Sequence, residues 1–119
     1  MSGRSGQRPL SESLRCAVRG LGVAWRQQRN FRLYVAASLA VIALGWWARV
    51  SRIEWIVLSL AIGLVWVAEL LNTAIEWMVD LVVGDSEHRM ARQIKDVAAG
   101  AVLVIAIVAV LIGLGVFVG

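Results

Sequence analysis

The chain is 119 residues long, 60% of them hydrophobic, with a formal net charge of +4. A soluble domain is nearer half apolar, and a chain this short has too small an interior to hide the excess, so its solvent must be lipid. The pI near 10.6 invites a nucleic-acid partner, but the basic residues are placed by the membrane and exclude one.

Residues 1–10 (MSGRSGQRPL) hold two Gly, the only Pro and no periodicity, and predict a flexible tail. The rest, 11–119, reads as one membrane domain. Over 11–29, Leu14, Val18, Leu21 and Trp25 recur on one helical stripe, with Arg15, Arg19 and Arg26 on an adjacent one. That pattern predicts an amphipathic helix on the membrane surface, N-capped by Ser11. Its arginines either anchor the helix to headgroups or also meet phosphates. The single cysteine, Cys16, excludes an internal disulfide and reads as a small apolar residue. No cleavable signal pattern follows Met1.

Residues 31–49 predict a first span and 55–79 a second. The loop 49–54 between them is too short to fold, which makes the two an antiparallel hairpin. Trp46, Trp47 and Trp55 flank that hairpin as an aromatic belt. Residues 81–96 (LVVGDSEHRMARQIKD) predict a polar loop carrying Gly84, Asp85, Ser86, Glu87 and His88 and then a basic helical turn. Residues 97–118 run 22 long without a charge, roughly 33 Å of helix and enough to cross a bilayer. Ala98, Ala99, Gly100 and Ala101 open that third span with small residues that permit close helix contact.

Ten basic residues (Arg4, Arg8, Arg15, Arg19, Arg26, Arg29, Arg32, Arg89, Arg92, Lys95) lie before the first span or between the second and third, against Arg49 and Arg52 between the first and second. The positive-inside rule then puts the amino terminus and the 81–96 loop in the cytoplasm and the carboxyl terminus outside.

The chemistry sits in the second span. Residues 55–68 carry no charge; Glu69, Asn72, Thr73, Glu76 and Asp80 then follow. All five fall within about one third of the helix circumference. An ionisable group inside a membrane span is costly and marks a function by default. Lys95 and Asp96 open the third span at about the depth where the second ends. Three readings compete. A polar stripe can glue helices into an oligomeric scaffold, which suits Asn72 and Thr73 but leaves three acids unpaired. The acids can relay protons or cations through a conducting oligomer. They can also hold Mg²⁺, which takes one or two carboxylates plus substrate phosphates, while one carboxylate deprotonates a lipid hydroxyl and Lys95 neutralises phosphate. The third is modestly favoured. No P-loop motif occurs, and the lone His88 makes a zinc site improbable.

Asn30-Phe31-Arg32, Glu54-Trp55, the block Glu69 to Asp80 (ELLNTAIEWMVD) and Lys95 to Val102 (KDVAAGAV) resemble the small bacterial membrane lipid kinases, a family comprising prokaryotic diacylglycerol kinase and undecaprenol kinase. The resemblance covers roughly residues 12–118. It implies an all-α homotrimer of the inner membrane, with three spans and a surface helix per chain and active sites shared between neighbours. It implies ATP with Mg²⁺ as phosphoryl donor and a lipid primary hydroxyl as acceptor. Carried onto this chain, Glu69 resembles the proton acceptor and contacts the lipid. Glu76 resembles a metal ligand. Asn72, Asp80, Lys95 and Asp96 resemble nucleotide contacts, as do Ser86, Glu87 and His88, whose loop holds one extra residue relative to the diacylglycerol branch. Trp25, Asn30, Phe31, Arg32, Trp55 and Ala98 fall where the lipid is expected. Gln28 stands at the metal position where the family usually has Glu, and an amide is a weaker Mg²⁺ ligand. Tyr34 replaces a His common in the undecaprenol branch. The wording Asn-Thr-Ala-Ile-Glu and Lys-Asp-Val-Ala-Ala-Gly-Ala-Val is nearer the undecaprenol branch, with diacylglycerol as the alternative substrate.

Overall fold

The structure, a computed structural model, describes residues 9–119. Those residues form four α-helices: α1 (Leu10–Gln27), α2 (Arg29–Ala48), α3 (Arg52–Val83) and α4 (Arg89–Phe117). The last three are long and apolar enough to cross a membrane. α3 has 32 residues and α4 has 29, roughly 48 and 44 Å at 1.5 Å per residue, longer than a ~30 Å hydrocarbon core. Each therefore carries about three turns beyond a straight span.

The turn between α2 and α3 is built tightly. Arg49 adopts the left-handed conformation (φ 55°) and its N–H returns to the Gly45 and Trp46 carbonyls, closing α2. Ser51 then opens α3 with a capping box. Its hydroxyl accepts from the Glu54 N–H at 3.2 Å, and Glu54 Oε1 accepts from the Ser51 N–H at 2.8 Å. Just inside, Trp55 lies against Gly45, where a Cβ would come within 2.8 Å of the indole. Trp46 meets the same indole edge-on, with centroids 5.9 Å apart.

Deeper in the α2–α3 interface, Trp66 Nε1–H donates to Ser38 Oγ at 2.9 Å, and Ser38 O–H donates to the Tyr34 carbonyl at 2.7 Å. Phe31 packs edge-on against Trp66 at 5.5 Å. A polar group in lipid must find its partner within the protein, and this chain of donors supplies one for the indole. α3 packs chiefly on α4. The buried residues there are small or β-branched: Ala61, Val65 and Val79 on α3, Ala91, Ala98 and Val102 on α4. Only 17%, 17% and 11% of the three apolar windows are buried within the chain, so most of each helix is left uncovered by the chain itself.

The element boundaries differ from expectation, most at the start of α1 and around the α3–α4 link. Leu10 already opens α1, with Pro9 as N-cap and no side-chain cap, so Ser11 is inside the helix; proline's fixed φ suits a helix start. The first eight residues of the expected tail lie outside the described residues. The polar loop expected over 81–96 shrinks to 84–88, because polar residues leaving the lipid do not interrupt a helix unless a breaker arrives. Gly84 is that breaker, at φ +61° and ψ −135°, where side chains are disfavoured. His88 starts α4 as N-cap, its Nδ1 accepting from the Ala91 N–H at 3.4 Å.

Candidate active site

The helical arithmetic that grouped the acids of α3 corresponds to a real inward face. Glu69 and Thr73 are each 3% exposed and Asn72 is 9% exposed, Glu76 is half-buried one turn on, and Asp80 is exposed at the end. The stripe thus runs from a dry interior to a wet mouth. Thr73 Oγ1–H donates to Glu69 Oε2 at 3.4 Å, a long bond. Among the described residues no cation lies within ion-pair distance of Glu69. Glu76, and Tyr34 from α2, stand within electrostatic reach of it. Asn72 Oδ1 is buried with no hydrogen-bond partner. A dry carboxylate without a cation and a dry amide oxygen without a donor both cost free energy. They persist only where something else is served.

At the mouth, Lys95 Nζ sits 2.6 Å from Asp80 Oδ1, tying the start of α4 to the end of α3. Of the acids on the second span, Asp80 alone pairs with the Lys95 ammonium among the described residues. Asp96, next to Lys95 on the helix, points about 100° away. It lines a separate groove with Ile75, Gln93 and Ala98. The loop residues Ser86, Glu87 and His88 are spent locally. Ser86 O–H donates to the Val83 carbonyl at 2.6 Å, Glu87 pairs with Arg92 at 3.7 Å, and His88 caps α4.

The residues expected along the lipid divide. Trp25 and Asn30 are exposed, and Ala98 is buried in the α3–α4 seam. Phe31 is only 3% exposed and packs on Trp66, so within the chain it is a core residue. Arg32 does not point outward: its Nη1 donates to the Trp25 carbonyl at 2.7 Å and the Arg26 carbonyl at 3.3 Å. Trp55 belongs to the hairpin, 14 residues and roughly 21 Å of helix from Glu69. Gln28 forms the extended break between α1 and α2, and no hydrogen bond joins its side chain to Glu76 among the described residues. Nor do three His, Cys, Asp or Glu side chains group there to hold a metal ion by themselves. The donors present (Glu76, the orphaned Asn72 oxygen and Glu69) fit a divalent cation that arrives with most of its shell supplied by phosphate and water.

Sequence reasoning passed over two features. Ser51-Arg52-Ile53-Glu54 carries the capping-box spacing and was readable. The Tyr34–Ser38–Trp66 chain was not, since nothing in the spacing says which helices meet.

The family model for prokaryotic diacylglycerol kinase matches residues 15–117, and the chain belongs to that family of membrane lipid kinases. Among its relatives, a protein named undecaprenol kinase from Bacillus subtilis is 46% identical over 101 residues, 85% of this chain and 81% of that one. A diacylglycerol kinase from Synechocystis sp. is 46% identical over 104 residues, 87% of this chain but 59% of its own longer length. The Escherichia coli K12 diacylglycerol kinase is 36% identical over 93 residues, 78% of this chain and 75% of that one.

Proposed function

We propose that this protein transfers the γ-phosphoryl group of ATP to the primary hydroxyl of a lipid at the cytoplasmic face of the bacterial inner membrane, with undecaprenol as substrate. The observation that carries the reading is Glu69: a carboxylate 3% exposed, with no cation beside it, on the same face as Asn72, Glu76 and Asp80. A scaffold has no use for such a group. A proton or cation path needs further acids along a continuous route, and α3 has none between Trp55 and Ala68. A relative matched over 81% of its own length is named for undecaprenol; diacylglycerol is the second reading, supported by the equal identity to the Synechocystis enzyme.

In this reading Glu69 accepts the proton of the lipid hydroxyl as its oxygen attacks the γ-phosphorus. Thr73, hydrogen-bonded to Glu69, holds the carboxylate in place. Phosphoryl transfer needs little covalent help, and positioning and charge stabilisation supply most of the rate. Lys95, released from Asp80, neutralises phosphate charge. Glu76 and Asn72 would hold Mg²⁺, with Gln28 a weaker participant, and the ion would supply charge stabilisation to the phosphates. Asp96, facing away from this stripe, serves a neighbouring copy in a homotrimer with shared sites. α1 lies on the inner surface, its exposed Leu14, Val18, Leu21 and Trp25 turned to lipid, and the amino end and the 84–88 link face the cytoplasm.

A side-by-side assay of undecaprenol and diacylglycerol with ATP in bilayers tests it. Faster turnover of undecaprenol is expected. Preference for diacylglycerol reverses the substrate assignment, and phosphorylation of neither removes the kinase reading.

A further inference from the structure

We propose that Arg32 is a clasp that fixes the angle of α1 and so sets the opening of the cleft through which a lipid reaches Glu69; the second half of this rests on the lipid-kinase reading above. The backbone breaks at Gln28, which is extended (φ −118°, ψ 107°) and serves as C-cap of α1 and N-cap of α2. The last carbonyls of α1 have no intrahelical donor. The Ala24 carbonyl receives the Gln28 N–H at 2.8 Å. The next two, Trp25 and Arg26, are taken by a single nitrogen, Arg32 Nη1, reaching back from the first turn of α2. A cation there also meets the negative end of the α1 dipole.

Little else holds α1. It meets the rest of the chain mainly at α2, and Ala24 is its one buried residue. Between α1 and α3 lies a cleft of about 470 Å³, with Ala17, Gly20 and Ala24 facing Leu70, Thr73 and Trp77. A Cβ on Gly20 would meet nothing within 4 Å, so the cleft is open and not merely lined by small residues. Its floor is Thr73, whose hydroxyl donates to Glu69. α1 is thus a roof hinged at Gln28 and pinned at Arg32, over the threonine that holds the Glu69 carboxylate. A roof that swings misplaces or misorients the lipid while leaving the Asp80–Lys95 mouth untouched.

The chain's sole cysteine, Cys16, lies on α1 and reports the roof directly. The experiment places a nitroxide on Cys16 in full-length protein in bilayers and compares wild type, Arg32→Gln and Arg32→Lys. Arg32→Gln is expected to raise label mobility and lower kcat/KM for lipid by up to about 10²-fold, the scale of a 1 Å misplacement, with KM for ATP unchanged. Because one nitrogen makes both contacts, Arg32→Lys should recover part of both effects. A lipid defect with unchanged label mobility would mean that Arg32 touches substrate and is no clasp. Raised mobility with normal lipid kinetics would separate α1 from lipid access. Failure of lysine to restore either readout would point to paired recognition of a phosphate. If wild type phosphorylates neither lipid, the kinase reading falls, and label mobility still decides the clasp.

Discussion

The two ends of the α2–α3 pair are built on opposite terms. At the hairpin end every device closes something: Ser51 and Glu54 satisfy each other's N–H groups, Arg49 returns its N–H to α2, and Trp55 fills the space that Gly45 leaves. Some 20 Å along α3, Glu69 is dry without a cation and Asn72 Oδ1 is dry without a donor. The same helix carries both, so its composition does not explain the difference. The first end secures the fold, and the second leaves buried polar atoms unsatisfied within the chain.

Substitutions at the two ends should therefore fail in different ways. The largest expected effect is at Glu69. Glu69→Gln keeps the shape and removes the proton acceptor, so lipid phosphorylation should drop by roughly 10²- to 10⁴-fold, with thermal unfolding in detergent near wild type. Near-normal turnover would end the base assignment. Gly45→Val is the mirror experiment. Its side chain must displace the Trp55 indole, and overpacking of this kind costs about 1–3 kcal/mol. Unfolding should come earlier while turnover per folded protein persists; lost turnover at full stability would erase the contrast between the ends.

Ser51→Ala is smaller. Loss of a helix N-cap costs about 1 kcal/mol, again read as stability, with nucleotide and lipid titrations unmoved. Asp80→Asn breaks a pair whose side chains are 56% and 37% exposed, and solvent screening keeps its stability effect within about 1 kcal/mol. The change should show instead in the ATP concentration for half-maximal rate. Smallest, Gln28→Glu adds a carboxylate at the α1–α2 break. It should lower the Mg²⁺ needed for half activity by a few-fold, about the gain from one more charged oxygen ligand. No change, or a rise, would show that Gln28 stands apart from the metal.

The three spans, their hairpin and the inward acid stripe were legible because each is periodic. Burial of Glu69 and Asn72 follows from the angle that also buries Val65. What was hidden is tertiary. Phe31 and Arg32 carry the family wording, yet one packs on Trp66, 35 positions later, and the other turns back onto α1. Neither direction can be computed from spacing. The basic helical turn expected at the end of the 81–96 segment is the first part of α4, which Arg89 opens. Asn72's missing donor leaves no trace in a sequence at all.

The wedged indole at Trp55 also has a mechanical meaning. A joint filled that tightly is a fulcrum, and α3 is a rod of 32 residues. Taking 1.5 Å of rise per residue, a tilt of about 3° about Trp55 shifts Glu69 by roughly 1 Å and Asp80 by roughly 2 Å. The throw grows with distance from the pivot, so the acid-bearing half of the rod is also the half with the most travel.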